Sequence, residues 1–260
     1  MKICVICGLK TRIRPDSMDL LVDIGNTNLK WAVSESGSLG EMRTVRHHGG
    51  LPIDLHAAWE PLTPPRRILV SNVGGARLAG ALERVCRSYW DREPLFVTPE
   101  PNAYGVTIAY AQPERLGVDR WLALIAAHRI CAGPVLVIDA GTAITYDLLL
   151  GDGRHLGGLI VAGIEMMRAG LLAGTRIPRV EPEELADPRT TDTGTAIAVG
   201  SIQAPAALAE RLFDRLTDQA GRAPECILAG GDAERLIPVL SLPIRQKPDL
   251  VLQGLALLSR

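Results

Sequence analysis

Short apolar runs broken by glycine-containing turns recur along the chain: LLV at 20–22, ILVSNV at 68–73, LFV at 95–97, PVLVI at 134–138 and CIL at 226–228. Runs this short and this uniformly apolar predict buried strands. Helical periodicity lies between them. Over Ala76–Trp90, Leu78, Ala81, Leu82 and Val85 fall on one face. Over Val118–Ile130, the residues Val118, Leu122, Ile125 and Arg129 recur at spacings of three and four, and Gly133-Pro134 terminates that helix. A further helix is predicted over Ala206–Thr217, following Pro205, and another over the C-terminal DLVLQGLALLS. Strands alternating with helices predict an α/β architecture.

The pattern repeats once. DLLV at 19–22 leads into DIGNTNLKWAV at 23–33, and 116 residues later VLVI at 135–138 leads into DAGTAITYDLL at 139–149. Each copy is an apolar strand, an Asp-x-Gly turn, a small polar pair and a second strand-like run. The offset is too long for a solenoid and close to half the chain. It predicts two similar domains, 18–133 and 134–260, each offering an Asp-Gly turn to a shared cleft. The leader MKICVICGLKTRIRPDS has a short apolar patch after Lys2, then a basic run and no small-residue cleavage site. We read residues 1–17 as disordered or as a start-site artefact, with Met18 the true start.

Composition narrows the function classes. Hydrophobic residues make up 47% and charged residues 22% of 260 residues, enough for a large core without staples. The formal net charge of −1 leaves no electrostatic footprint for nucleic acid or an anionic membrane. The nearest approach to a membrane span, Thr193–Ala209, is broken by Thr, Ser, Gln, Gly and Pro. With no targeting signal, the cytoplasm is the expected compartment. Cys86, Cys131 and Cys226 are isolated and read as small core residues in reducing surroundings. Cys4 and Cys7 form a C-x-x-C pair, but no second pair or histidine stands at zinc-ligand spacing. No P-loop and no G-x-S-x-G elbow occurs.

The Asp-x-Gly turns are the candidate chemistry. Asp23 stands at the end of an apolar strand, and Gly25 lets backbone amides approach an anion. Asn26 and Thr27 add short polar groups, and Lys30 supplies a point charge for phosphate oxygens. A carboxylate beside phosphate donors makes sense if a divalent cation bridges them. The second turn, Asp139-Ala140-Gly141-Thr142, lacks a nearby lysine; Asp139 is positioned for a cation and Thr142 for a phosphate. Either turn alone is best read as an ordinary hairpin. Two at half-chain spacing favour nucleotide phosphate binding. A third element, Leu116-Gly117-Val118-Asp119-Arg120, opens a predicted helix, whose dipole keeps a carboxylate ionised and able to accept a proton. Arg120 suits a carboxylate or phosphate. Helix capping with a surface salt bridge accounts for the same residues. Glycine also lines Gly157-Gly158, Gly163 and Gly230-Gly231-Asp232, as phosphate contacts or plain turns.

DIGNT at 23–27 with Lys30, GVDR at 117–120, DAGTAITYD at 139–147, and Gly157-Gly158 with Gly163 occur in an order that resembles the type III pantothenate kinases, of the actin and sugar-kinase superfamily. Asp192-Thr193, Ala196-Ile197 and Gly200 add a weaker block, and the resemblance runs from Met18 to the C-terminus. It implies two ribonuclease H-like domains facing a shared nucleotide cleft. It implies transfer of the γ-phosphoryl of ATP to the terminal hydroxyl of pantothenate, giving 4'-phosphopantothenate, the first step toward coenzyme A. By the same resemblance Asp23, Ile24, Gly25, Asn26, Thr27, Asn28, Leu29, Lys30 and Thr142 bind ATP, with Asp23 near magnesium. Asp119 is the proton acceptor; Tyr110, Gly117, Val118, Asp119, Arg120 and Thr193 contact pantothenate; Asp139 holds a monovalent cation, potassium or ammonium. A homodimer is implied too. Ala162 and Asp192 depart from the pattern, which has Pro and Asn there. The alternative is a non-catalytic regulatory relative, an accessory factor for transcription. The intact Asp23, Asp119, Arg120 and Asp139 set argues against it.

Overall fold

The computed structural model describes residues 18–35, 37–177 and 187–259. The leader 1–17, with the Cys4–Cys7 pair, lies outside the described residues. From the N-terminal side the chain forms strands β1 (Met18–Ile24), β2 (Asn28–Glu35), β3 (Ser38–Leu39) and β4 (Arg43–Arg46), helix α1 (Ile53–Trp59), strand β5 (Arg67–Asn72), helix α2 (Ala76–Trp90) and strand β6 (Leu95–Phe96). These strands make one sheet in the order β3-β2-β1-β5-β6, with β4 pairing the start of β2. β1 and β2 are an antiparallel hairpin, while β5 and then β6 join in parallel. All seven residues of β1 are buried, Asp19 and Asp23 included, as the central apolar run LLV predicts for a strand covered on both faces. Leu20, Val22 and Ile24 pack with Leu29 and Trp31 against Leu55 and Trp59 of α1 and Leu78, Leu82 and Cys86 of α2. Asp19, Leu21 and Asp23 therefore point to the other face.

The chain continues through a small hairpin, β7 (Asn102–Ala103) and β8 (Val106–Thr107), and helix α3 (Val118–Ile130). Then come β9 (Val135–Ala140), β10 (Ala143–Leu149), β11 (His155–Ala162), α4 (Ile164–Ala173), α5 (Thr193–Ala220), β12 (Glu225–Ala229), α6 (Ala233–Leu236), β13 (Ile244–Gln246) and α7 (Leu250–Leu258). The second sheet has the order β11-β10-β9-β12-β13. β9 and β10 are antiparallel, and β12 and β13 run parallel beside β9. Both sheets thus have the ribonuclease H-like arrangement, a three-strand meander extended by two parallel strands. The internal repeat of the sequence is a repeat of structure. Leu136, Ile138 and Tyr146 pack against Ile202, Leu212 and Leu216 of α5 in the second core.

The compact units interleave along the chain. One contains residues up to Pro99, Glu114–Ala126 and Val251 onward; the other contains Glu100–Pro113 and Ala127–Leu250. A cut between 133 and 134 separates the two sheets, but it is not the edge of either unit. Helix α7 joins the first unit through its end. Arg66 and Arg67 both donate to the buried Asp19 carboxylate, at 2.7 and 2.9 Å, and to the carbonyl of Ser259. Burial pushes the Asp19 carboxyl up, but hydrogen bonds from Arg66 and then Arg67 outweigh it and hold the pKa below the ordinary value.

Two helix expectations need correction. The helix predicted over Ala206–Thr217 runs from Thr193 to Ala220, with Pro205 in its interior. Arg168 reaches the turn before the proline, donating to Ser201 Oγ and to the Ala198 carbonyl, and Tyr146 Oη donates to the Pro205 carbonyl at 2.8 Å. These side chains tie the helix to the rest of its unit on either side of the proline. Helix α3 has the expected bounds but no single apolar face: Trp121 to Ala127 are all buried, while Arg129 is exposed.

Candidate active site

The first Asp-x-Gly turn is the hairpin between β1 and β2. Asp23 is 7% exposed, directly opposite Lys30 on β2 and beside Ser71 on β5. Since Leu29 and Trp31 face the α1–α2 core, Lys30 shares the outer face with Asp23. The turn closes with Gly25 N–H on the Asn28 carbonyl at 3.0 Å. Asn26 is exposed at its tip and Thr27 is half-buried. His47 braces it: its backbone N–H bonds the Thr27 carbonyl, and Nε2–H donates to the Gly25 carbonyl at 2.9 Å.

The segment after β5 completes this turn. Val73 and Gly74 N–H both bond the Ile24 carbonyl, and Asn72 Oδ1 accepts from Gly74 N–H at 3.0 Å. A Cβ at Gly74 would lie 2.7 Å from the Gly25 carbonyl oxygen, so only glycine lets this loop seat against the turn. Gly74-Gly75 and His47 stand outside every motif that the sequence pattern singles out. The signal for the glycines was present, because Gly230-Gly231 follows β12 as Gly74-Gly75 follows β5.

The second turn repeats the construction. Asp139 is half-buried at the end of β9, opposite Thr145 and beside Ala229. Thr145 stands where the first turn has Lys30. Gly141 N–H bonds the Ala143 carbonyl, and Gly163 N–H bonds the Thr142 carbonyl at 3.0 Å. Here Gly230 seats the loop after β12: its φ is +94°, and a Cβ would overlap the Ala140 carbonyl. Asp232 N–H bonds that same carbonyl at 2.9 Å. Ala140 lies at the position equivalent to Ile24, so the two turns are braced through equivalent carbonyls.

GVDR opens α3. Trp121 N–H reaches back to the Gly117 carbonyl, and Asp119 Oδ1 accepts its neighbour Arg120's N–H at 2.8 Å. A Cβ at Gly117 would stand 2.5 Å from Asp119 Oδ1, so the glycine makes room for this carboxylate. Asp119 is half-buried and Val118 and Arg120 are buried. Thr193, exposed, is the first residue of α5. The unusual Asp192 is the N-cap of that helix. Its side chain accepts Thr195 N–H at 2.9 Å, which lowers the Asp192 pKa below the ordinary value.

Tyr110 lies in the second unit, where its half-buried ring is parallel to that of His155. His155 is buried and paired with Asp147. The structure therefore brings Asp23, Gly25, Thr27 and Lys30 together on one hairpin and Asp139 and Thr142 on the other. Asp119 and Arg120 belong to the first unit, Tyr110 and Thr193 to the second.

The donor set suits hard cations and phosphate. Among the described residues no group of three or more His, Cys, Asp or Glu side chains forms a metal cage. What each turn offers is one carboxylate at a strand end beside a tight amide-bearing loop. That fits magnesium carried largely by substrate phosphates. No helix of the described residues is long and apolar enough to cross a membrane.

A family model for type III pantothenate kinases matches residues 19–215. Type III pantothenate kinase of Nitrosococcus oceani is 38% identical over 252 residues, covering 92% of this chain and 92% of the relative. That of Dechloromonas aromatica is 40% identical over 242 residues, covering 92% and 97%. Among solved structures, a Baf family transcriptional activator from Campylobacter jejuni aligns with a TM-score of 0.55 at 24% identity, over 91% of this chain and 94% of that one; this likeness concerns the fold alone. The matched stretch contains both turns, GVDR and Thr193, and the chain belongs to the type III pantothenate kinase family.

Proposed function

We propose that this protein transfers the γ-phosphoryl group of ATP to the terminal hydroxyl of pantothenate, in the cytoplasm, as the first step toward coenzyme A. The observation that carries this reading is the family match over 19–215, which includes both Asp-x-Gly turns, GVDR and Thr193. The P–O bond to the β-phosphate breaks, a new P–O bond forms to the hydroxyl oxygen, and ADP leaves. Asp119 accepts the hydroxyl proton. Arg120 offers a bidentate partner for the pantothenate carboxylate. Tyr110, Gly117, Val118 and Thr193 complete the acceptor site.

The segment Asp23–Lys30 binds the ATP phosphates, with Thr142 as a further contact. A glycine-cradled turn with a buried carboxylate and a lysine on one face supports this assignment. Asp23 holds magnesium, which when bound neutralises charge on the phosphate oxygens. Asp139 holds a monovalent cation, and the replacement of Lys30 by Thr145 at the equivalent place supports a cation there. We assign a homodimer. Leu159 and Ile160 on β11 and Met166 and Leu171 on α4 are large apolar side chains left exposed, which supports self-association. The regulatory alternative is not favoured.

Pantothenate-dependent ADP release tests the assignment. Asp119→Asn should lower turnover by about 10²–10⁴-fold with unfolding unchanged, the range for a lost general base. Turnover close to wild type would remove Asp119 from that role.

A further inference from the structure

We infer that His155, held by Asp147, is a positioning residue that fixes the Tyr110 ring for the acceptor substrate; this rests on the reading of Tyr110 as part of the pantothenate site. Both members of the pair are buried, His155 at 3% and Asp147 at 2% exposure. His155 Nε2–H donates to Asp147 Oδ1 at 2.9 Å, and Nδ1 accepts the Ala109 N–H at 3.4 Å. With both nitrogens engaged, the ring has one tautomer and one orientation. Tyr110 follows Ala109 directly. Its ring lies parallel to the imidazole, with an interplanar angle of 5° and centroids 6.3 Å apart.

The backbone around it is held to the same hairpin. Thr107 N–H bonds the Gly153 carbonyl at 2.9 Å, and Thr107 bridges Arg154. His155 thus restrains a side chain whose backbone is already fixed.

A bulge makes this arrangement possible. β10 and β11 pair Asp147 with Gly158 and Leu148 with Gly157, and then the register shifts so that Leu149 meets His155. Unbroken pairing would turn Leu156 onto the face that carries Asp147. The shift turns His155 there instead and leaves Leu156 exposed at 38%. Bulges that re-aim one side chain are a recurrent device beside functional sites. A buried carboxylate–imidazole pair is costly in a strand that needs only apolar packing, so its presence points to work done through Tyr110.

The test is a double-mutant cycle on the full chain, read as KM for pantothenate and KM for ATP. His155→Ala and Tyr110→Ala should each raise KM for pantothenate by about tenfold or more with KM for ATP unchanged, as lost positioning of one substrate predicts. The double variant should be no worse than Tyr110→Ala, and His155→Phe, which keeps a flat ring, should recover part of the loss. His155→Gln, which keeps a donor for Asp147 but no ring, should behave as His155→Ala and serves if alanine unfolds the protein. The proposal is overturned if the histidine variants leave KM for pantothenate unchanged while Tyr110→Ala raises it. Losses that multiply in the double variant, KM values that rise together, or unfolding of both His155→Ala and His155→Gln also overturn it. If Tyr110→Ala leaves KM for pantothenate unchanged in an active enzyme, the reading of Tyr110 fails first, and the positioning role with it.

Discussion

Replacing Gly74 with alanine perturbs the first Asp-x-Gly turn while removing none of its polar groups. The added Cβ would lie 2.7 Å from the Gly25 carbonyl oxygen, 2.8 Å from Ile24 Cγ2 and 2.9 Å from Leu78 Cδ1. Ordinary contact begins near 3.4 Å, so relief needs a shift of about 0.7 Å at the Gly25 carbonyl. Gly74 cannot simply withdraw, because its N–H bonds both the Ile24 carbonyl and Asn72 Oδ1. Overpacking of this kind costs about 1–3 kcal/mol, read as roughly 2–4 °C of Tm per kcal/mol in a chain of this size. The larger effect should be on catalysis. A misplacement of about 1 Å costs up to about 10²-fold in a positioned reaction, so kcat/KM for ATP should fall by about 10–100-fold. The assay is steady-state ADP release at varied ATP and saturating pantothenate, alongside thermal unfolding. Unchanged Tm with kcat/KM for ATP within about twofold of wild type would refute the cradle argument.

Three further outcomes follow from the packing. Gly170, inside α4, has open space where a side-chain methyl would stand, with no atom beyond its own stretch of helix backbone within 4 Å, so Gly170→Ala should stabilise by about 0.5–1 kcal/mol in urea unfolding. Asp19→Asn should cost about 2–3 kcal/mol at pH 7, since it strips charge from a buried carboxylate that two arginines share. Because the folded Asp19 pKa lies below the ordinary value, its contribution is present at neutral pH and is lost as pH falls through the folded pKa. The gap between wild type and variant should therefore narrow in acid unfolding series. Burial pushes the thiols of Cys86, Cys131 and Cys226 up to about 12, so in a Cys4→Ser/Cys7→Ser background a disulfide reagent at pH 8 should label none of them until denaturant is added.

The strands and the repeat were legible because buried β-strands write themselves as uninterrupted apolar runs. LLV at 20–22 and PVLVI at 134–138 became the central strands of two sheets with the same order. Helices α2 and α3 have the bounds that periodicity and glycine punctuation predict. Helix α5 was half-legible. Pro205 looked like a boundary because local propensity disfavours interior proline, yet Arg168 and Tyr146 supply hydrogen bonds around it from distant parts of the chain. That Glu114–Ala126 and the chain from Val251 onward belong to the first unit was also invisible, since contacts such as Arg67 with Ser259 are encoded by no local pattern. At the site, the aspartates and turn glycines announced themselves by the repeat. The bracing of the first turn by Gly74 and His47, and the pairing of His155 with Asp147, depend on tertiary approach and on a one-residue register shift.

Phosphoryl transfer to pantothenate can be read directly. Incubating the purified protein with ATP labelled in the γ-phosphoryl group, pantothenate, magnesium and potassium, and then separating the products, tests it most directly. Label should appear on pantothenate with wild type and almost none with Asp119→Asn. Label that stays in ATP, or appears only as free phosphate, with folded wild-type protein would contradict it.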